Sequence, residues 1–455
     1  VAVLSCFSLL VVVASSAYIM FPEAFSDRNT HATLSAGLTA APADAAAAAV
    51  AAAADGATTA TASGGTTGAA TAAAAGPVAA AFVATDAPGT DADEGDHGDV
   101  VVVLRHNVHT LLLERHVVVS QVSRTALLDA ARVRFGEPTL SRVLAVDGRE
   151  LLDTEAIRTA VLQHNAPAAT LPLVVLRDDE RYMIPAQYVG ERRRVLLADQ
   201  QRVVTLTVLS VEPRIFQVDN FIHADECDHV VQRTTEGDLK EKLIESLVGG
   251  ETARSFKSAT RNSRQIWVGP SQHNSDEVFA ALQQRVSAFT HMPLDLFEDV
   301  QVVHYNSGEH YFTHHDYTMK GALVGNPYYE AGGNRLLTML FYLNDVEHGG
   351  ETIFPYVNSS VDAKKMGWQD LSSAATCNME GGLRVAPRRG RAVLFYNLLE
   401  QQHMDGVGDE KTLHAGCDPL HGAKKYLCNV WVRQKRVRYV DEEGNVKHIL
   451  FDKVW

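Results

Sequence analysis

Apolar runs of strand length recur along most of the chain from Val100 onward, broken by polar and turn-forming residues. VVVL and RHVVVS read as two strands, and TALLDAARVRF has apolar residues at helical spacing with Ser123 placed to cap it. SRVLAV runs into the turn pair Asp147-Gly148, TEAIRTAVLQ reads as a short helix, and LPLVVL closes the set as an apolar strand. RRVLLAD and QRVVTLTVLS predict a hairpin within 179–212. IFQVDNF predicts a further strand, followed by a helix starting near Asp225 and another over Ser275–Thr290. In the second helix Val278, Phe279, Leu282 and Val286 share one stripe, the pattern of a core-facing helix. Between Val303 and Trp431 the apolar strands come close together, in VHYNSGEHYFTHHDY, NRLLTMLFYLND, GGETIFP, GRAVLFYNLL and KKYLCNVW.

Upstream the pattern fails. From Ser26 to Asp99 the chain is Ala, Gly and Thr with few large side chains, so it lacks the apolar area to offset ordering. It is expected to be a flexible stalk, 23–99. Before it, residues 1–22 carry no charge and are long enough to span a bilayer. A transmembrane signal anchor is the expectation, with a cleaved secretory signal ending at Ala17 as the alternative. Either sends the remainder into the secretory pathway, most simply to an endoplasmic-reticulum or similar membrane with the globular part lumenal. The formal net charge of −14 argues against a nucleic-acid partner.

The densest chemistry sits in Tyr311-Phe-Thr-His-His-Asp-Tyr317. Residues two apart on a strand project to one face, so His314 and Asp316 can share a metal ion while His315 points away. His414, from a later strand, can complete the set. Two imidazoles and one carboxylate leave coordination positions open, the arrangement of non-haem Fe(II) oxygenases. Other His-x-Asp pairs compete. His97-Gly-Asp99 ends the Ala/Gly-rich tract, His223-Ala-Asp225 opens a predicted helix where Asp225 suits the first turn, and His403-Met-Asp405 lies in a polar Gly-bearing segment. Only the His314 pair is followed by a series of apolar strands ending in another His.

At this point residues 213–433 resemble the catalytic domain of the Fe(II)- and 2-oxoglutarate-dependent prolyl 4-hydroxylases. The resemblance runs from PRIFQVDNFIHADECDHVV through TRNSRQIWV, QVVHYNSGEHYFTHHDY, RLLTMLFYLNDVEHGGETIFP and VAPRRGRAVLFYNL to LHAGC and KYLCNVW. With the N-terminal apolar segment, the architecture looks most like the transmembrane members. The resemblance implies a mainly β catalytic domain, a double-stranded β-helix (jelly roll) with flanking helices. It implies Fe(II) on His314, Asp316 and His414, with 2-oxoglutarate and O2 as co-substrates and L-ascorbate to rescue oxidised iron. The implied reaction hydroxylates peptidyl proline at C4 in a proline-containing protein or peptide, while 2-oxoglutarate becomes succinate.

Family positions place Tyr305 and Thr338 against 2-oxoglutarate, and Arg261 in the substrate cleft, where a surface salt bridge is the competing reading. Residues 236–258 match a segment that closes over substrate. The lysine for the distal carboxylate of 2-oxoglutarate is Lys424 when counted from His414 and Lys425 when counted back from Asn429 and Trp431. Strand parity puts Lys425, Leu427, Asn429 and Trp431 on one face, which selects Lys425. Cys377 and Cys417 match positions that carry Cys in some members and can pair in an oxidising lumen or stay as thiols, five cysteines being an odd number. Asn358-Ser-Ser360 is a glycosylation sequon.

The upstream order of two strands, helix, strand, short helix and strand resembles a ubiquitin-like β-grasp α+β domain over 100–178, with a family-specific support domain as the alternative. Residues 179–212 form a connecting hairpin and 434–455 a C-terminal tail with a hairpin around Glu443-Gly444. Hydroxylation of another side chain such as lysine would use the same iron chemistry. A catalytically silent membrane-tethered binding module is the reading from a different class.

Overall fold

The structure is a computed structural model that describes residues 81–83, 100–106, 112–117, 122–163, 170–197, 202–246, 261–269, 276–318, 330, 332–359, 373–399, 407–443 and 446–448. The expected anchor, almost all of the stalk and the His97 and His403 pairs lie outside these residues. No helix among the described residues is long and apolar enough to cross a membrane.

After a short strand β1 (Ala81–Val83) come β2 (Val100–His106), β3 (Leu112–Val117), α1 (Arg124–Phe135), β4 (Arg142–Ala145), α2 (Thr154–Gln163) and β5 (Thr170–Leu176). Four of these strands form a sheet in the order β3-β2-β5-β4, with β2 and β5 parallel and the outer pairs antiparallel. This is the β-grasp order. Helix α1 starts where Ser123 Oγ accepts from the Ala126 N–H and stops at Gly136, whose φ of 68° suits glycine. Its buried Leu127, Leu128, Ala131 and Phe135 join Val102, Leu104, Leu173 and Val175 in a core of their own.

The next strands are β6 (Arg192–Leu197), β7 (Arg202–Ser210) and β8 (Ile215–Asp219). The stretch read from sequence as a connecting hairpin does form one from β6 and β7, but it is not a mere connector. Strand β7 also pairs with β8, so the hairpin extends the large sheet. The cause is its period-two burial: Val204, Leu206 and Val208 are fully buried and continue the apolar face of Phe216 and Val218.

Helix α3 (Ala224–Thr235), β9 (Ile244–Glu245), β10 (Arg264–Val268) and α4 (Glu277–Thr290) follow. Asp276 caps α4 by accepting from the Val278 and Phe279 N–H groups. Phe279, Leu282 and Val286 of the predicted stripe are buried in the main core, and Val278 packs against it.

Eight strands are then shared between two sheets: β11 (Val300–Tyr305), β12 (Tyr311–His314), β13 (Arg335–Tyr342), β14 (Thr352–Phe354), then, after a short helix α5 (Ser373–Asn378), β15 (Leu383–Val385), β16 (Ala392–Tyr396), β17 (His414–Gly416) and β18 (Lys425–Arg433). The large sheet runs β1-β6-β7-β8-β16-β13-β18-β11-β10-β9 and the small one β12-β17-β14-β15. That interleaving is a jelly roll. Its two sheets meet through Tyr305, Leu340, Tyr342, Phe395 and Leu427 on one side and Phe354 and Val385 on the other. A terminal hairpin, β19 (Arg438–Val440) with β20 (Val446–His448), covers the base through Arg438, which donates to Gln283 Oε1, the Glu298 carbonyl and Asp299 Oδ1.

Candidate active site

His314 ends β12, His414 begins β17, and the two are direct cross-strand partners with ring centroids 4.3 Å apart. Asp316 departs from expectation. Strand β12 stops at His314, so Asp316 lies in a bend and strand parity does not place it. It is held instead by Thr338 on the facing sheet, whose Oγ1 donates to Asp316 Oδ2 at 2.7 Å. The ligand-capable atoms of His314, Asp316 and His414 converge within 4.8 Å of one another. Nε2 of His314 is 3.6 Å from Asp316 Oδ1, and Nε2 of His414 is 3.7 Å from Oδ2.

The tautomers follow from the second nitrogens. Nδ1 of His314 is 2.8 Å from the Phe312 carbonyl, and Nδ1 of His414 is 2.9 Å from the Thr412 carbonyl. A carbonyl only accepts, so each Nδ1 carries a proton, and in the neutral imidazole Nε2 is the atom left to hold a metal. Burial reinforces this by pushing the His414 imidazole down to about 4. Burial works to raise the Asp316 carboxyl, and it is held well below the usual range when the neighbouring His414 and His314 carry a second proton. His315 turns to Tyr317, with ring centroids 4.5 Å apart. His223 and Asp225 sit at the start of α3, where Glu226 accepts from the His223 N–H, and hold no place in the cluster.

Beside the cluster, Tyr311 stacks on His314 at 3.7 Å between ring centroids, and the Arg261 guanidinium lies 4.4 Å above the Tyr311 ring. Arg261 is therefore a buried side chain against the site, not a partner in a surface salt bridge. Further in, Tyr305 on β11 and Lys425 on β18 are cross-strand partners. Lys425 is fully buried, and its Nζ has no hydrogen-bond partner among the described residues. It lies 5.1 Å from the Tyr305 ring centre and 5.8 Å from that of Tyr342. Lys424 is exposed, because the next residue of a strand faces the other way. Of the two lysines that the counts offered, Lys425 is thus the one inside the barrel.

A family profile described as the 2OG-Fe(II) oxygenase superfamily matches residues 300–433. The chain is 33% identical over 217 residues to a probable prolyl 4-hydroxylase 3 of Arabidopsis thaliana, a match covering 48% of this chain and 68% of that protein. It is 34% identical over 217 residues to prolyl 4-hydroxylase 5 of the same plant, covering 48% and 67%. Among solved structures, the 2-oxoglutarate complex of a viral collagen prolyl hydroxylase from Paramecium Bursaria Chlorella virus-1 is 24% identical. That match covers 48% of this chain and 95% of that one, with a TM-score of 0.33.

The chain belongs to the prolyl 4-hydroxylase family. It is a 2-oxoglutarate-dependent dioxygenase, and Fe(II), 2-oxoglutarate and O2 are the reactants that this family chemistry requires. The residues of this prolyl 4-hydroxylase relative fit that demand. Two neutral imidazoles and an ionised carboxylate can hold Fe(II). An unpartnered buried ammonium is complementary to a carboxylate. Gly416 keeps this place free of a side chain: a Cβ there would touch Tyr305 Oη at 3.5 Å, Tyr311 Cβ at 3.8 Å and Lys425 Nζ at 3.9 Å. A side chain at that position would thus project between the lysine, the phenol and Tyr311. Phe354 and Phe395 line His414 at 5.6 and 5.0 Å between centroids, which keeps this part of the barrel apolar.

Thr338 does not offer its hydroxyl to a co-substrate; it is committed to Asp316 on one side and accepts from Asn397 Nδ2 at 2.9 Å on the other. Asn397 was not singled out from sequence, since it follows β16 directly and nothing local marks it. Tyr342 was likewise missed, although it shares the strand face of Thr338 and Leu340. Its hydroxyl lies 2.7 Å from Thr352 Oγ1. Cys377 and Cys417 form a disulfide that ties α5 to β17, three residues past His414. Asn358 is exposed with a φ of 54°, and Ser360 of its sequon lies outside the described residues. Of the expected closing segment, β9 pairs with β10 and leaves Ile244 exposed, while 247–258 lie outside the described residues.

Proposed function

We propose that this enzyme hydroxylates C4 of peptidyl proline in a protein or peptide, coupled to oxidative decarboxylation of 2-oxoglutarate. One oxygen atom of O2 enters the new succinate carboxylate as carbon dioxide leaves, and the other becomes the hydroxyl on proline. The observation that carries the chemistry is the pairing of the His314/Asp316/His414 cluster with a buried Lys425 ammonium that has no hydrogen-bond partner among the described residues, inside one barrel. Support for proline as target is the similarity to prolyl 4-hydroxylases over 217 residues.

Iron(II), when held by His314, Asp316 and His414, supplies open coordination positions and the electrons that activate dioxygen. The chain's own residues do the rest. The two Nδ1–carbonyl hydrogen bonds fix both imidazoles as ligands through Nε2. Lys425, assisted by the Tyr305 hydroxyl, binds the distal carboxylate of 2-oxoglutarate and so orients its keto acid end. Tyr305, Tyr342, Phe354, Phe395 and Leu427 exclude water from the barrel. Arg261 holds the peptide carbonyls near the site, a role its stacking on Tyr311 beside His314 supports. Ascorbate serves as reductant after turnovers without substrate. We further propose a secretory-pathway location with the N-terminal apolar run as membrane tether; the Cys377–Cys417 disulfide supports an oxidising compartment. Protease protection of the chain in sealed microsomes checks it, and a fully digested catalytic region would remove the lumenal placement.

The test of function is succinate production from 2-oxoglutarate by the full chain loaded anaerobically with Fe(II), across proline-rich peptides. Peptide-stimulated succinate with one oxygen added to proline, both lost in His314→Ala, is the expected result. Oxidation on lysine would move the target and keep the chemistry. A folded protein that binds no iron and makes no succinate would leave only a binding module.

A further inference from the structure

Asp316 is the one member of the metal cluster with no strand to hold it, so something else must set its carboxylate. Thr338, nearly fully buried on β13, donates to Oδ2 at 2.7 Å. A carboxylate only accepts, so the Thr338 proton is committed to Asp316 and the hydroxyl oxygen is left as an acceptor. Asn397 fills that acceptor through Nδ2 at 2.9 Å. Asn397 is itself fully buried and fixed at both backbone groups: its N–H donates to the Leu336 carbonyl, and its carbonyl accepts from the Asp409 N–H, each at 2.9 Å. Those bonds hold the residue in place, and because the Thr338 proton is already committed, it is Nδ2 of the amide that faces Thr338.

We propose that Asn397 and Thr338 form a one-way hydrogen-bond relay that engages Oδ2 of Asp316 and turns Oδ1 to the metal. Thr338 is on this basis a positioning residue for the metal ligand and not a contact for 2-oxoglutarate. Groups of this kind, which orient a metal ligand without touching the metal, change metal affinity by about 10–100-fold when removed. The inference rests on the reading of His314, Asp316 and His414 as the metal ligands.

The test is Co(II) titration of the full chain, read by visible absorption and chelator competition, with KM for 2-oxoglutarate measured at saturating Fe(II). Thr338→Val keeps the shape and loses the hydroxyl; it should weaken Co(II) by about 10–100-fold, alter the Co(II) spectrum and leave KM for 2-oxoglutarate unchanged. Thr338→Ser restores the donor and should bind Co(II) like the parent. Asn397→Asp replaces the amide donor by an acceptor that competes for the Thr338 proton, and should weaken Co(II) as Thr338→Val does. A folded Thr338→Val, judged by circular dichroism and melting, with parental Co(II) affinity and a raised KM for 2-oxoglutarate would overturn the relay. Equal Co(II) binding by the parent and His414→Ala would instead remove the underlying ligand assignment.

Discussion

Lys425→Met separates the two things a buried lysine does. Burial pushes the Lys425 ammonium down to about 7 from an ordinary 10.5, with Glu351 pulling the other way. At pH 7 that depression disfavours the folded, ligand-free protein by about 4 kcal/mol. The direction with pH is definite. Between about 7 and 10.5 the unfolded chain holds the proton that the folded chain releases, so stability from this group rises with pH across that window and is lost as pH falls toward 7. Methionine has similar length and no charge, so Lys425→Met should be the more stable protein at pH 7, by about 1–4 kcal/mol after repacking. The gain should shrink to a few tenths of a kcal/mol, roughly, near pH 10.5. Urea unfolding followed through the fluorescence of Trp267 and Trp431, which sit together in the barrel, measures it. The variant should lose 2-oxoglutarate binding, while calorimetry of the parent at about pH 8 should show uptake of about one proton per 2-oxoglutarate as the ammonium recharges against the carboxylate. A Lys425→Met protein that is less stable at pH 7, or that binds 2-oxoglutarate as the parent does, would refute the reasoning.

Other consequences follow from the packing. Glu298 is buried between Arg335 and Arg433; burial would raise its carboxyl, but the two guanidinium groups outweigh it and bring it to about 2. Its contribution is present above the ordinary 4.5 and disappears as pH falls through about 2, so Glu298→Gln should cost about 3–5 kcal/mol at neutral pH and flatten the acid limb of urea stability; a neutral-pH loss below about 1 kcal/mol counts against the pair. A fragment beginning at residue 213 would strip β7 from β8 and uncover the core that Val204, Leu206 and Val208 share with Phe216 and Val218. It should aggregate or melt early, whereas one beginning at 100 should fold; equal melting temperatures would show that the hairpin is dispensable. Gly416→Val should place methyl groups between Tyr305 and Lys425, raising KM for 2-oxoglutarate at least tenfold, roughly 1.4 kcal/mol, with metal affinity retained; an unchanged KM would move the co-substrate away from that strand.

Much of this protein is determined by patterns one residue or one strand long. Alternation chose Lys425 over Lys424, since a strand turns successive side chains to opposite faces and only one of the pair can enter the barrel. The histidines were legible because each stands on a strand, and the helices α1 and α4 because stripe and cap agree locally. The tertiary structure decided what depends on partners far along the chain. Asp316 lies past the end of β12, so its place comes from Thr338 and Asn397 on the opposite sheet. Thr338 looked like a co-substrate contact until its hydroxyl was seen to be taken. Arg261 looked as ready to pair on the surface as to line the substrate cleft, because burial is a property of the assembled sheet. The hairpin within 179–212 has the alternation of a half-buried strand pair, but alternation does not say against what. Only the pairing of β7 with β8 makes it part of the catalytic sheet. Period and parity act within a segment, whereas hydrogen-bond direction and burial depend on which segments meet.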